Sequence, residues 1–425
     1  GKNLINLDIE YYSEDRNKEK SFKNVYRFHN IVKSYLIEGE GNRQNQTLLD
    51  LACGECGDLH KWKNTQLSLV VGIDIVKHNL INTTQGAAKR ILNMLDKPEL
   101  SDNVTLNNIF LIWGDCGKNI RNLNCGLDNL SKLYLNILLG YPISNKHVSL
   151  LSNSSKLKKN RGICKDGFDI LSCQFAIHYF FRNKDILDSF LTNVSENLKL
   201  NGIFIFTCLD GRKVFKLLNE SDEGVIGRQN QNENYIWKIS KLYNKKILNN
   251  DVTSLGYPIN VYMETFVKDT EEYLVNLEYL ESILENYGLE LVNKNDFGTL
   301  YEKFNSEKKI EKQLDDAGKE FSFLNVAITL RKTSKKKMSG GGNNLLSKFT
   351  LDKNENIFKD LIEDTNDYDE QIGLDILEPE IFKEEETKLI QEDTIFENLE
   401  ETPINIQEGY NSNELFTLKK EQTGG

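Results

Sequence analysis

The sequence predicts an α/β fold with a mostly parallel β-sheet flanked by helices. Between residues 47 and 332, short apolar segments of strand length alternate with segments of helical pattern, and strands that are joined by helices run parallel. The composition, 39% hydrophobic and 28% charged residues, is that of a folded globular chain. No run of about 18 apolar residues is present in the sequence, so we predict no membrane-spanning segment.

Three parts follow one another along the 425 residues. Residues 1–46 form a polar, partly helical lead-in, residues 47–332 form the α/β domain, and residues 333–425 form a tail. The tail contains 22 acidic residues and 10 lysines, so it carries the net charge of -11 almost alone. Because the tail has little apolar surface to offset the entropy of ordering, we predict that it is disordered. The near-neutral remainder is compatible with a local RNA-binding patch.

The elements of the α/β domain can be placed in order. Strands are predicted over residues 47–52, 69–73, 109–114, 168–173, 202–208, 289–292 and 323–330, and helices up to residue 61 and over 78–94 and 184–198. Residues 117–167 separate the third and fourth strands by about 50 residues, where a crossover needs far fewer, so we interpret them as an insertion. Within it, residues 154–161 predict a basic surface loop. An ordinary solvated loop is favoured there over one that contacts RNA phosphates.

The first motif follows the first predicted strand. Asp50, Gly54, Gly57 and Asp58 lie where that strand ends and a helix opens. Small residues let the backbone turn tightly and approach a ligand closely, and open α/β sheets bind ligands at the carboxyl ends of their strands. Taken alone, the motif fits either a nucleotide-binding loop or an ordinary tight turn.

Two acidic residues follow the next two strands. Asp74 ends the second strand about 20 residues after the glycine turn, where a carboxylate can accept hydrogen bonds from both ribose hydroxyls of NAD or of S-adenosylmethionine (SAM). The turn is not Gly-x-Gly-x-x-Gly, which argues against NAD. Asp115 follows the third strand, in a position suited to an adenine amino group. Acidic residues also cap helices and occupy turns, and this alternative stays open for both.

The seven cysteines indicate reduced thiols. Their number is odd and they are scattered through a large domain, which is typical of intracellular proteins rather than of a disulfide framework. Cys53 and Cys56 form a Cys-x-x-Cys pair, which can bind zinc when a second ligand pair is present. No second pair has suitable spacing, so we predict no metal site and interpret the two thiols as small side chains in a tight turn.

The end of the fourth strand carries an unusual set of side chains. Gln174, Phe175, His178 and Tyr179 follow one another there, whereas a core strand would end in apolar residues. The mixture suits a flat ligand with polar edges, because an aromatic ring can stack on a base and attracts a cationic ring more strongly. The alternative for His178 is a hydrogen-bonded histidine of the core.

Four blocks of the sequence resemble the mRNA cap guanine-N7 methyltransferase family. They lie at residues 27–33, 50–62, 168–179 and 262–275, in the order and at the spacing of that family. The resemblance covers about residues 20–332. It implies a Rossmann-like SAM-dependent methyltransferase fold, whose seven-stranded sheet ends in a hairpin. Residues 28–33 are most similar to the methyltransferase domain of multifunctional capping enzymes of large DNA viruses.

The resemblance implies roles for the matching residues. SAM would be bound by Lys33, Asp50, Gly54, Asp58, Asp74, Asp115, Gln174 and Phe175, and the cap by Asn30, His178, Tyr179 and Glu264. Lys33 would hold the SAM carboxylate, and Glu264 would accept hydrogen bonds from guanine N1 and the 2-amino group. Because guanine N7 has a free lone pair, no general base is required, and we expect catalysis by positioning without a catalytic side chain.

Three positions depart from the family pattern. Ala52 stands where the family often has Gly, and Glu55 where it often has a basic residue, which removes one cap-side or phosphate-side contact. Asn325 stands where the last strand often carries an aromatic cap contact.

The expected partner is the capped 5′ end of mRNA, together with the triphosphatase and guanylyltransferase domains of a capping enzyme, and no membrane. The resemblance places the protein inside the cell, in the host cytoplasm or virion for a viral member and in the nucleus for a cellular one. Two alternatives stay open: a SAM methyltransferase for another RNA base or a small molecule, and a catalytically silent stimulatory or adaptor subunit. The intact Asp50, Asp74 and Asp115 argue against the silent subunit.

Overall fold

The computed structural model describes residues 22–41, 45–144, 147–148, 153–264 and 269–333. The chain divides into two units, residues 1–374 and 375–425, and every described residue belongs to the first. The predicted disorder of the tail therefore concerns residues outside the described part.

Eleven strands form two sheets in the described part of the chain. In chain order they are β1 Thr47–Leu51, β2 Leu69–Asp74, β3 Ile109–Trp113, β4 Phe168–Gln174, β5 Leu198–Leu209, β6 Val225–Gln229, β7 Tyr235–Lys241, β8 Pro258–Met263, β9 Thr270–Tyr273, β10 Leu289–Asp296 and β11 Asn325–Lys332. The larger sheet has the order β10-β11-β5-β4-β1-β2-β3, with β1 to β5 parallel and β11 antiparallel to both of its neighbours. The predicted seven-stranded sheet with a terminal hairpin is confirmed.

Helices flank the large sheet. They are α1 Lys23–Glu40, α2 Leu59–Asn64, α3 Lys77–Ile81, α4 Ala87–Leu95, α5 Val104–Asn107, α6 Asn129–Leu139, α7 Ser155–Asn160, α8 Lys184–Asn197, α9 Gly211–Glu220, α10 Leu277–Ile283, α11 Phe297–Ser306 and α12 Asp316–Ser322, with short 3₁₀ segments at Ile177–Arg182, Val252–Ser254 and Leu284–Tyr287. Both β1 and β2 are buried along their whole length, as expected for central parallel strands that are covered on both faces.

The prediction of one continuous helix over residues 78–94 is wrong, because the chain forms two helices there, α3 and α4, with a turn between them. The side chain of Asn82 accepts hydrogen bonds from the backbone N–H groups of Thr84 and Gln85, at 2.9 and 2.8 Å. Such an asparagine turn competes with continued helix. Gly86 fits the break closely, since a Cβ there would lie 2.6 Å from the backbone of Asn82.

The basic segment at residues 154–161 is helical, so the predicted surface loop is wrong. Ser154 caps α7 by accepting a hydrogen bond from the N–H of Leu157, whose side chain is buried. Lys156 donates a hydrogen bond to the carbonyl of Ile109 at 3.0 Å, and burial lowers its pKa to about 8. An apolar leucine and a backbone-bonded lysine anchor this segment to the domain.

The second sheet was not predicted from the sequence. It is antiparallel in the order β6-β7-β8-β9 and lies between β5 and β10 in the chain. Trp237, Ile239, Val261 and Met263 are buried on one face. Alternating apolar residues in β7 and β8 carry the signal of half-buried strands, and this signal was present in the sequence.

Helix α1 packs against the large sheet through one apolar face. Phe28, Val32, Leu36 and Ile37 are buried on it, at the spacing of an amphipathic helix. This contact carries Asn30 and Lys33 toward the carboxyl end of β1, beside α2. Among the described residues, no helix has the length and apolar character that crossing a membrane requires.

Candidate active site

The turn after β1 has an unusual backbone. Ala52, Gly54 and Cys56 have φ angles of 89°, 54° and 55°, in the left-handed region that glycine tolerates best. A Cβ placed on Gly54 or Gly57 would meet no atom within 4 Å, so the turn faces open space. The left-handed conformation of Ala52 explains why glycine would be the less strained residue at this position.

Asp74 closes this turn from the neighbouring strand. One carboxylate oxygen accepts a hydrogen bond from the Gly54 N–H at 2.7 Å, and the other accepts from the Val76 N–H at 2.9 Å and the Asn79 amide at 3.1 Å. Burial raises the pKa of Asp74, although these three hydrogen bonds oppose the shift. The chain thus fixes this carboxylate at the carboxyl end of β2, next to the glycine turn.

Asp50 lies in β1 beneath the turn and is almost fully buried, with 2% exposure. Its Oδ1 has no hydrogen-bond partner among the residues that the structure describes. Burial, together with the negative charges of Asp58 and Asp74, raises the pKa of this carboxyl well above its usual range, against the opposing charge of Lys33. A buried polar atom without a partner is costly, so the arrangement fits a ligand that supplies a hydrogen bond.

Asp58 connects the turn to α1 through two lysines. Its Oδ1 lies 2.7 Å from Lys33 Nζ and 2.8 Å from Lys61 Nζ, and Lys61 also donates to Asn30 Oδ1 at 2.9 Å. Burial favours a higher pKa for Asp58, but the two lysines outweigh it and lower the pKa. The predicted site residues Asn30, Lys33 and Asp58 therefore form one network together with Lys61.

Asp115 follows β3 in a tight loop. Its Oδ1 accepts a hydrogen bond from the Gly117 N–H at 2.8 Å, and its Oδ2 lies 3.7 Å from Lys118 Nζ. Asp74 in β2 pairs with Trp113 in β3, so the ends of the two strands adjoin. The acidic residues at positions 50, 74 and 115 thus lie at the carboxyl ends of three adjacent strands.

Gln174 and Phe175 occupy the end of β4. Thr207 of β5 donates its hydroxyl to Gln174 Oε1 at 3.1 Å, and the Phe175 N–H bonds to the Thr207 carbonyl at 3.1 Å. Phe175 has a φ of 54°, and its ring stacks on the His29 ring with centroids 5.1 Å apart. Burial, reinforced by the charge of Lys33, lowers the pKa of His29 to about 3, so the stacked imidazole is neutral.

His178 forms a buried pair with a residue that the sequence analysis did not assign, Glu272 in β9. Their Nδ1 and Oε2 atoms are 3.5 Å apart. Burial lowers the pKa of His178 to about 3 and raises that of Glu272 to about 8, against the opposing hydrogen bond from Thr270. The pair is therefore neutral at pH 7. His178 Nε2 is buried and finds no partner in the described part of the chain.

Of two further predicted cap residues, Tyr179 contacts His178, and Glu264 bonds to the start of helix α1 instead. The Tyr179 ring is edge-on to the His178 ring, with centroids 4.2 Å apart. Glu264 directly follows β8, and its carboxylate accepts a hydrogen bond from the Phe22 N–H at 3.1 Å. Glu272 was missed because its strand belongs to the unpredicted second sheet, although Glu272 lies in the block of residues 262–275 that carries the resemblance.

The acidic residue at position 55 is balanced by a basic one. Arg90 of α4 lies 2.7 Å from Glu55 Oε2, and its Nε donates to the Gln85 carbonyl at 2.8 Å. A positive side chain therefore stands beside the turn even though Glu55 is acidic. Cys53 and Cys56 are free, buried thiols, and no cluster of three potential metal ligands occurs across the described ranges.

The strand order and the turn define the class of protein. The order reverses between β1 and β4, which is the switch point where such sheets bind ligands. A parallel sheet with a terminal antiparallel hairpin, a glycine turn after β1 and acidic residues at the ends of β2 and β3 are the features of a Rossmann-like, SAM-dependent methyltransferase.

The family model for the mRNA (guanine-N(7))-methyltransferase domain matches residues 6–137 and 145–356. The chain therefore belongs to the mRNA (guanine-N7)-methyltransferase family.

Two proteins that are named as capping enzymes or cap methyltransferases are similar to most of this chain. A "Probable mRNA-capping enzyme" of Acanthamoeba polyphaga mimivirus is 29% identical over 317 residues, which are 72% of this chain and 24% of that protein. An mRNA cap guanine-N(7) methyltransferase of Cryptococcus neoformans is 28% identical over 64% of this chain and 35% of its own length. The matched region thus spans about a quarter to a third of these two relatives. A solved SAM-dependent methyltransferase from Clostridium acetobutylicum matches 78% of this chain and 95% of its own, at 14% identity and a TM-score of 0.39.

Proposed function

We propose that this chain transfers the methyl group of SAM to N7 of the guanine cap of mRNA. The observation that carries the proposal is the buried, neutral pair of His178 and Glu272, because it leaves His178 Nε2 without a partner. His178 lies in the 3₁₀ segment shortly after β4, and β4 pairs with β1, which leads into the glycine turn. A group that binds this pair is therefore held at the same edge of the sheet as the cofactor turn.

Guanine matches the chemistry of the pair. Its N1–H and 2-amino groups are donors, which an ionised Glu272 can accept, and its O6 is an acceptor, which His178 Nε2–H can serve. Hydrogen bonds to a charged, buried group discriminate strongly, since a base that lacks the matching donors leaves the carboxylate unpaired. Adenine has a lone pair and no hydrogen at N1, so N1 would face the carboxylate acceptor-to-acceptor and repel it. This complementarity favours guanine over the alternative of another RNA base.

The electrostatics favour the reaction at N7. The guanine ring becomes cationic as N7 is alkylated, and a nearby carboxylate stabilises the charge that develops in the transition state. The Tyr179 ring beside His178 adds an aromatic face to which a cationic ring is attracted. Because N7 carries no proton, no residue has to act as a base. The contribution of the chain is to hold two ligands in line and close together.

The residues around the glycine turn fit SAM, which supplies an electrophilic methyl group when it is bound. The open space before Gly54 and Gly57 admits a ligand, and the unpartnered Asp50 Oδ1 accepts one more hydrogen bond. Lys33 would pair with the ligand carboxylate while Asp58 holds the lysine, Asp74 would accept from the ribose, and Asp115 would accept from the adenine amino group. Gln174 and Phe175 would line the side of the pocket toward the guanine.

The proposed substrate is the capped 5′ end of mRNA, and the proposed partners are the triphosphatase and guanylyltransferase domains of a capping enzyme. One relative is named a probable mRNA-capping enzyme. A silent adaptor subunit is disfavoured, because Asp58 is paired with Lys33, Asp74 is hydrogen-bonded to the turn, and the turn faces open space. Such an adaptor would have no use for this network.

The proposal is tested with labelled SAM and RNA that ends in an unmethylated guanosine cap, followed by digestion to nucleosides. We expect label in 7-methylguanosine from the wild-type chain, and none from uncapped RNA or from the Asp74→Ala variant. Binding of SAM without label in the cap would contradict the proposal in favour of another substrate. Failure to bind SAM would favour the adaptor.

A further inference from the structure

The loop that carries Asp115 is closed on itself and on one helix. Asp115 donates its N–H to the Cys125 carbonyl at 2.9 Å, and Cys125 donates to the Asn119 carbonyl at 3.1 Å. Gly114 and Gly126 form an isolated antiparallel bridge at its base. The loop between these points contains no helix or strand of its own, so its shape depends on its few internal bonds and on bonds from outside.

Asn193 of α8 supplies three bonds to the segment next to Asp115, while Glu196 of the same helix bonds to Asn119 and Arg121 further along the loop. The Asn193 side chain is fully buried, with 0% exposure. The amide oxygen accepts from the Ile120 N–H at 2.9 Å, and the amide nitrogen donates to the carbonyls of Cys116 and Lys118 at 2.9 and 2.6 Å. One side chain therefore satisfies three backbone groups within the five residues that follow Asp115.

We propose that Asn193 is a positioning residue that sets the adenine specificity of the cofactor site. It acts through the loop of residues 116–120, which fixes Asp115 so that its carboxylate meets the 6-amino group of adenine. The inference rests on the proposed role of Asp115 in binding adenine. Asn193 itself lies behind the loop and needs no contact with the cofactor.

The geometry explains why one amide suits this position. The bonds demand one acceptor and two donor hydrogens in a small planar group, which asparagine provides. The loop is tight, since a Cβ on Gly117 would lie 3.0 Å from Asp115 Oδ1. Loss of the amide would leave two buried backbone groups and the half-buried Lys118 carbonyl without this partner, and the loop would move to expose them to water. Such movement displaces Asp115 while leaving the glycine turn and Asp74 in place.

The same helix offers a matched control. Asn197 lies one turn further on and is also fully buried. Its amide nitrogen donates to the Asn193 carbonyl inside the helix, and its Oδ1 has no hydrogen-bond partner within the described ranges. Asn197→Ala therefore removes an equally buried amide but keeps all three bonds to the loop.

The test is calorimetric titration, without RNA, of the full chain with S-adenosylhomocysteine and with S-inosylhomocysteine, in which an oxygen replaces the 6-amino group. We expect wild type and Asn197→Ala to prefer the adenine ligand by roughly tenfold or more, the effect of one specific hydrogen bond. In Asn193→Ala the preference should fall to within about twofold. Asn193→Ser keeps a short hydroxyl that can bond to part of the loop without adding a charge, and it should lie between the two.

Thermal unfolding of each variant identifies those that remain folded. If Asn193→Ala is unfolded, Asn193→Ser carries the comparison. A folded Asn193 variant that keeps the wild-type preference overturns the inference, as does a wild-type chain that binds both ligands equally. Because the titration contains no cap, these outcomes are independent of whether the chain methylates guanine N7.

Discussion

The two halves of the site are built in different ways. In the cofactor half, Asp58 and Asp74 are held by partners from the turns after β1 and β2 and by Lys33. In the guanine half, His178 and Glu272 come from a 3₁₀ segment and a separate sheet, and the pair stays neutral and incompletely bonded. In the proposed cofactor half the chain itself bonds Asp58 and Asp74 and leaves only Asp50 Oδ1 open, whereas in the proposed guanine half the ligand has to complete the bonding of the pair.

The largest expected effect comes from Glu272, because it is the charged partner in the guanine half. Glu272→Gln should lower kcat/KM for capped RNA by roughly 100-fold, since the amide cannot accept from both guanine donors as a carboxylate does. The Kd for SAM should stay within about twofold. Glu271→Gln is the control, because Glu271 is an exposed neighbour whose carboxylate contacts Tyr273. Equal activity of the two variants would remove Glu272 from the guanine site.

The pH dependence of cap binding should distinguish the guanine half, which contains Glu272, from the cofactor half. With its pKa raised to about 8, Glu272 is protonated at lower pH and must lose its proton to accept from guanine. The KM for the cap should therefore fall roughly tenfold from pH 6 to 7 and level off above about 8. The same raised pKa means that Glu272 costs folding stability as the pH rises from 4.5 toward 8. Steady-state rates at saturating SAM measure the profile, and a profile in Glu272→Gln as steep as in wild type would contradict this assignment.

Asp74 should affect only the cofactor half. Asp74→Ala removes the acceptor for the ribose and also the three bonds that hold the turn, so the Kd for SAM should rise by roughly tenfold or more. Binding of a cap dinucleotide, measured by fluorescence quenching, should change by less than about twofold. A similar loss for both ligands would show that the two halves are coupled.

The smallest effect concerns the backbone of the turn. Ala52→Gly should raise the free energy of unfolding by about 0.5 kcal/mol, because glycine relieves the left-handed strain at φ 89° but loses more chain entropy. Asn201→Gly is the control, since asparagine already tolerates its φ of 63°. Urea unfolding compares the two, and a destabilised Ala52→Gly variant would mean that the strain is absent.

Sequence reasoning predicted the positions of site candidates that lie at strand ends, and the binding roles of these residues stay predictions. Asp50, Gly54, Asp74 and Asp115 lie at or just after the ends of predicted strands. Because parallel strands have their carboxyl ends at the same edge of the sheet, the sequence predicts that these residues lie together. The same reasoning failed at Glu272, because the contact with His178 joins positions 94 residues apart through a sheet that was not predicted. It also failed at residues 154–161, where the buried Leu157 anchors a helix that the basic composition concealed.

The most direct test of the central claim compares a cap that contains guanine with one that contains 7-deazaguanine, in which a C–H group replaces N7. In the proposed complex Glu272 accepts from N1 and the 2-amino group and His178 donates to O6, and neither contacts N7, so both caps should bind with Kd values within about threefold of each other. Only the guanine cap should take up label from SAM. Label in the 7-deaza cap would place the methyl group elsewhere and contradict the account.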